Sequence, residues 1–272
     1  MIAIFDSGYG GLTIFNSIRR RLPDYDYIYL GDNARAPYGT RSFDVVYRFT
    51  LQAVKKMLNM GADLIILACN TASAKALRTI QQCDLPKLDP SGKKRVLGII
   101  RPSAEALGRF TSSNNVGILA TQGTVSSDSY AIEMAHLWPQ VHVFQQPCPL
   151  WVPLVENAEF DKPGADYFVR KYTEQLLCQC PGIDAVMLAC THYPLLAPKI
   201  ADVLPTSVRL LSQGDIVADS LVDYLRRHPE IDKVLTRNAS AHFFTSESPE
   251  KFADTAGLFF KGCLDVNHIE IP

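Results

Sequence analysis

The 272-residue chain is predicted to be α/β: two similar doubly wound, mostly parallel-sheet domains related by pseudo-twofold symmetry, with the active site in the cleft between them. Three observations predict this. Apolar runs of strand length alternate with helix-length amphipathic segments almost throughout, the pattern of parallel strands covered on both faces. Two strands end alike, in Leu64-Ile65-Ile66-Leu67-Ala68-Cys69-Asn70-Thr71 and in Ala185-Val186-Met187-Leu188-Ala189-Cys190-Thr191-His192. Each half also has an early strand leading to a small-residue turn, Asp6-Ser7-Gly8 in the first and Ala120-Thr121-Gln122-Gly123-Thr124 in the second. Ligands bind beyond the C-terminal ends of parallel strands, so the two thiols are expected on opposite sides of one pocket.

Residues 2–5 form a short strand. The turn Asp6-Ser7-Gly8-Tyr9-Gly10-Gly11 then opens a helix whose apolar positions Phe15, Ile18 and Leu22 share one face. The glycines permit a tight turn and expose N–H groups at a helix start, a seat for an anion. Their spacing is neither G-x-G-x-x-G nor that of a phosphate-binding loop. Residues 27–32 form a second strand, and the loop 33–42 has turn chemistry at Pro37 and Gly39. Ser42 is placed to cap a helix over 43–60 that Gly61 ends. The first thiol strand occupies 62–69, and a helix runs from Thr71 to Cys83. The stretch 84–95, with Pro86, Pro90 and Gly92, reads as a domain boundary. The rhythm then restarts: strand 96–100, helix 103–110, strand 115–120, helix 127–137, strand 141–145. A Pro-punctuated segment 147–157, a helix over 163–179, the second thiol strand at 184–190 and a helical stretch 193–204 follow. The chain closes with a strand at 208–211, a helix at 214–227, a hairpin over 233–245 around Arg237-Asn238, a helix at 249–261 and a strand at 266–271. The hairpin predicts an antiparallel edge.

The composition is that of an ordinary soluble chain, 47% hydrophobic and 20% charged, with a formal net charge of -1. Arg19-Arg20-Arg21 and Lys93-Lys94-Arg95 are short, solvated runs, so nothing points to nucleic acid. The apolar runs reach about eight residues, too short to span a bilayer. The start lacks the basic and long apolar regions of a signal peptide, and a cytoplasmic chain with no membrane association is expected. Seven cysteines, an odd number, argue for reduced thiols. Cys178-Gln179-Cys180 is not C-x-x-C and has no histidine near it, so no metal site is expected.

Two opposed thiols suit a reaction in which a proton leaves one face of a carbon and another arrives on the opposite face. One acts as thiolate base, the other as neutral thiol donor, and the roles exchange in reverse. The site must also hold a carboxylate and stabilise a carbanion with preorganised donors. Loop amides and the hydroxyls of Ser7, Thr71, Thr121, Thr124 and Thr191 are the candidates. Cys69 and Cys190 are singled out because each ends a core strand and is followed by polar residues. His192 stands two positions after Cys190. Asp6 lies near Cys69 if their strands pair, and otherwise caps the following helix. Glu156 is an isolated carboxylate in an apolar segment and is expected to have a partner. Cys83, Cys148, Cys178, Cys180 and Cys263 read as small hydrophobes. Two other readings stay open: a single nucleophilic cysteine hydrolysing an acyl or amide bond with His192 as base, and a binding module that keeps the cleft without catalysis.

At these residues the chain resembles the glutamate racemases, within the wider aspartate/glutamate racemase group. The matching segments are Phe5-Asp6-Ser7-Gly8-Tyr9-Gly10-Gly11-Leu12, Leu30-Gly31-Asp32-Asn33-Ala34-Arg35-Ala36-Pro37-Tyr38-Gly39, Ala68-Cys69-Asn70-Thr71-Ala72-Ser73, Leu119-Ala120-Thr121-Gln122-Gly123-Thr124 and Ala189-Cys190-Thr191-His192-Tyr193-Pro194-Leu195. The resemblance implies a cofactor-independent enzyme, active as a homodimer, that interconverts L- and D-glutamate for peptidoglycan synthesis. It implies Cys69 and Cys190 as the acid/base pair, with Asp6 assisting the first and His192 and Glu156 the second. It implies substrate contacts at Asp6, Ser7, Pro37, Tyr38, Gly39, Asn70, Thr71, Thr121, Thr124, Thr191 and His192. It also returns the final segment to the first domain, giving 1–95 plus 207–272 and 96–206. Aspartate or another acidic amino acid is the alternative substrate. Arg101, near the boundary, departs from the family pattern and reads as a surface residue.

Overall fold

The computed structural model describes residues 1–262 and 264–272; Cys263 lies outside the described residues. The first unit opens with β1 (Ile2–Asp6), α1 (Gly11–Arg21), β2 (Tyr27–Gly31), α2 (Phe43–Asn59), β3 (Leu64–Leu67), α3 (Asn70–Thr79), the short α4 (Leu85–Leu88) and β4 (Arg95–Gly98). The second contains α5 (Ile100–Phe110), β5 (Asn115–Ala120), α6 (Gln122–Val125), α7 (Ser129–Leu137), β6 (His142–Pro147), α8 (Trp151–Glu156), α9 (Pro163–Gln179), β7 (Ala185–Ala189), α10 (Ala197–Val203) and β8 (Arg209–Ser212). The chain returns through α11 (Gln213–Arg227), α12 (Pro229–Asp232), β9 (Ala241–Thr245), α13 (Pro249–Ala256) and β10 (Val266–His268).

Among the described residues every strand pair is parallel. The central strands β1, β2, β3 and β7 are buried at every position, as strands covered on both faces must be. The sheets run β10-β9-β2-β1-β3-β4 and β6-β5-β7-β8. The order β2-β1-β3-β4 in one therefore repeats as β6-β5-β7-β8 in the other. Cys69 after β3 and Cys190 after β7 follow corresponding strands, the second next to the strand that leads to Thr121.

The domain boundaries move at both junctions. The division 1–95 plus 207–272 against 96–206 assigned residues 96–100 to the second unit and 208–211 to the first. Instead β4 pairs with β3, and β8 with β7. Each fourth strand completes its own sheet before the chain crosses, and the helix after it belongs to the other unit. The polar turn before Arg95 is thus an ordinary helix-to-strand loop.

The expected hairpin at 233–245 does not form, and among the described residues there is no antiparallel edge. Asp26 gathers the turn before β9, its carboxylate accepting from the backbone N–H groups of Asn238 (3.0 Å) and Ser240 (3.1 Å) and from the Ser240 hydroxyl (2.7 Å). That fixes the chain direction, and β9 enters parallel to β2. Arg101 is exposed and reaches Glu105 and Glu133.

Candidate active site

Cys69 stands where β3 ends and α3 begins. It is the N-cap of α3, and its sulfur accepts from the backbone N–H of Ala72 (3.5 Å) and lies 3.4 Å from the Ser7 hydroxyl. Because β1 and β3 pair with Phe5 opposite Leu67, Asp6 and Ser7 are delivered beside that thiol. Burial first, and then the neighbouring Asp6 charge, push the Cys69 thiol up to about 12. Asp6 is itself buried, which raises its carboxyl above the ordinary range, although His192 and the N–H groups of Gly8 and Gly11 oppose the shift. Its oxygens accept from the Gly8 N–H (2.9 Å) in its own turn and from the Thr191 hydroxyl (3.4 Å) in the turn of Cys190.

Cys190 follows β7, and the residues after it turn into a short 3₁₀ segment, Tyr193–Leu196. His192 curls back so that Nδ1 faces the Cys190 sulfur at 3.9 Å. Nε2 lies 2.9 Å from a carboxylate oxygen of Glu156 at the end of α8. Burial disfavours the imidazolium, but the contacts with Cys190 and Glu156 outweigh it and raise His192 to about 10. The isolated carboxylate of the sequence therefore has its partner. Gly10 makes room: a Cβ there would lie 2.4 Å from Thr191 Oγ1 and 2.5 Å from His192 Nδ1.

One cavity of about 80 Å³ is lined by both thiols, by Ser7, Pro37, Tyr38, Gly39, Asn70, Thr71, Thr121, Thr191, His192 and Glu156. Thr121 joins the units, its hydroxyl 2.9 Å from that of Thr71. The Gly123 N–H donates to the Gly39 carbonyl (2.8 Å), tying the Pro37–Gly39 loop to the second unit. The Tyr38 hydroxyl donates to buried Asp32, which Arg35 also holds (2.7 Å), so this loop is anchored from behind. Asp6 and Thr124 are not among the cavity-lining residues; each sits one layer back, Thr124 within hydrogen-bonding reach of Thr71 and Thr121.

Cys148, read as a bland hydrophobe, is buried in the cavity wall beside Pro149, Val152 and Pro153. Its position after β6 corresponds to no thiol motif, so only strand order reveals it. Gln213, Ser103 and Tyr130, which were not singled out, form a buried network with Asn70.

The arrangement offers two sulfur atoms, one held as a thiol and one beside an imidazolium, in the lining of one small cavity that also carries hydroxyl and amide groups. The family model for Asp/Glu/Hydantoin racemase matches residues 12–221. The chain belongs to the Asp/Glu/Hydantoin racemase family. Among relatives of this racemase, a glutamate racemase of Dinoroseobacter shibae is 38% identical, covering 99% of this chain and 98% of that one. A glutamate racemase of Geobacter metallireducens is 36% identical over 99% of this chain and 96% of its own. In three dimensions the racemase superposes on a glutamate racemase isoform of Bacillus anthracis with a TM-score of 0.90 at 30% identity, covering 100% of this chain and 98% of that one. Francisella tularensis glutamate racemase, solved in complex with D-glutamate, gives 0.87 at 28% identity, with 99% and 97% covered. An aspartate racemase of Picrophilus torridus, 18% identical with a TM-score of 0.52, shares the fold.

Proposed function

We propose that this racemase interconverts L- and D-glutamate without a cofactor, by proton transfer between its two thiols. The observation that carries the mechanism is that Cys69 and Cys190, on corresponding strands of the two units, line one cavity. Glutamate as the substrate is supported by the relatives named glutamate racemase over nearly their whole length and by the neighbour solved with D-glutamate.

The Cys190 thiolate takes the α-proton from one face while the Cys69 thiol gives its proton to the other, leaving Cys190 protonated and Cys69 as thiolate. The opposite turnover exchanges these states. Burial keeps Cys69 in the neutral form that a donor requires. His192, a cation at neutral pH, stabilises negative charge on the Cys190 sulfur and is held in place by Glu156. Asp6 is placed to assist at Cys69. The Thr71 and Thr121 hydroxyls, the Asn70 amide and the Pro37–Gly39 loop bind the carboxylates. As in the group it resembles, the product serves peptidoglycan synthesis in the cytoplasm and the working unit is a homodimer.

Purified protein is incubated with D-glutamate in heavy water, with no cofactor or metal added, and followed by circular dichroism and mass analysis. Loss of the optical signal with one deuterium at the α-carbon of the inverted product is expected. A persistent signal with glutamate and a decaying one with aspartate would transfer the assignment to aspartate. Silence with both, accompanied by a trapped acyl-cysteine, would favour hydrolysis.

A further inference from the structure

Beside the site stands a closed polar network centred on Gln213, the first residue of α11 and the point where the chain returns from the second unit. Its partners are Asn70 next to Cys69, Ser103 at the start of α5 where the chain leaves the first unit, and Tyr130 on α7. All four side chains are buried. Buried polar groups are costly unless paired, so the network has to settle which atom faces which.

The hydrogen-bond pattern has one consistent solution. The Ser103 hydroxyl donates to the Ile99 carbonyl (2.6 Å), leaving its oxygen to accept, so the Gln213 nitrogen faces it at 2.7 Å. The Gln213 oxygen then accepts from Asn70 Nδ2 at 2.6 Å. The second Gln213 N–H donates to the Tyr130 hydroxyl oxygen (2.9 Å), Tyr130 passes its own proton to Asn70 Oδ1 (2.8 Å), and Asn70 Oδ1 lies 3.2 Å from the same Gln213 nitrogen. Asn70 Oδ1 is thereby turned into the network, and one of the two side-chain N–H bonds of Asn70 is used. Asn70 lines the cavity, and what its side chain has left to offer is an N–H rather than a free acceptor.

We propose that Gln213 is a positioning residue for the racemase reaction: it holds Asn70 as a donor, fit for a substrate carboxylate and unfit to accept from the substrate ammonium. The same side chain ties both crossovers together, so the orientation of a group beside Cys69 depends on how the two units are seated. The assignment rests on the glutamate reading above.

Four proteins test it: wild type, Gln213→Met, Asn70→Ala and the double variant, each measured for folding by thermal melting and for KM and kcat with D-glutamate. Losing one oriented donor to a carboxylate raises KM about tenfold while kcat stays within about twofold. Because Gln213 acts through Asn70, the double variant is expected to match Asn70→Ala alone. A further tenfold loss in the double variant, or a fall in kcat at unchanged KM, overturns the assignment. If Gln213→Met does not fold, Tyr130→Phe, which removes one donor to Asn70 Oδ1 and keeps the ring, is judged by the same two criteria. An inactive wild type overturns the glutamate reading and this assignment together; an active wild type with additive variants overturns this assignment alone.

Discussion

Nε2 of His192 lies 2.9 Å from Oε1 of Glu156, while the other ring nitrogen faces the Cys190 sulfur. The carboxylate orients the ring and favours its charged form. Glu156→Gln keeps the shape and removes the charge. His192 then loses its proton at lower pH, so the alkaline limb of the kcat/KM profile should move to lower pH. Activity at pH 8 should fall about tenfold. A profile superimposable on that of the wild type would leave Glu156 with no part in the chemistry.

Cys69→Ser and Cys190→Ser should each reduce racemisation by two or more orders of magnitude, on the order of the 10²–10⁴ that a positioned acid or base contributes. A hydroxyl fills the same place but is far less readily ionised than a thiol. Circular dichroism with either enantiomer of glutamate reads the loss. Full activity in either variant would remove the two-thiol mechanism.

Gly10 faces Thr191 and His192 with no room for a methyl group. Gly10→Ala should push His192 away from Cys190 and destabilise the fold by about 1–3 kcal/mol, the usual cost of overpacking. Urea unfolding and the racemisation rate should decline together. A variant with unchanged stability and rate would mean that the neighbouring turn yields freely.

His192 also makes stability depend on pH. Its value in the folded protein, about 10, is above the ordinary 6.5, so folding favours the protonated form. The contribution is complete below pH 6.5 and is lost as pH rises through 10. The stability difference between wild type and His192→Gln should therefore be largest near pH 6 and shrink steadily as pH rises. Cys69, whose thiol burial also raises, weakens both proteins above pH 9, so the comparison is read between pH 6 and 9. A gap that widens with pH would reverse the sign of the argument.

The sequence by itself determined the α/β class, the paired thiol strands and the cluster of residues at their ends. Periodicity and turn chemistry are local properties, and a strand that ends in Cys-Asn-Thr or Cys-Thr-His must deliver those side chains to the loop beyond it. Strand partnership is not local. The runs of β4 and β8 suit either sheet, and only the assembled sheets decided that each completes its own unit before crossing. Nothing in residues 233–245 specifies pairing direction; the carboxylate of Asp26, far away in sequence, did so by gathering the turn. The same holds at the site. Glu156 was legible as a carboxylate in need of a partner, but its meeting with His192 depends on the packing of α8 against the turn after β7. Gln213 was not legible at all, because a polar residue at a helix start reads as exposed until two crossovers close around it.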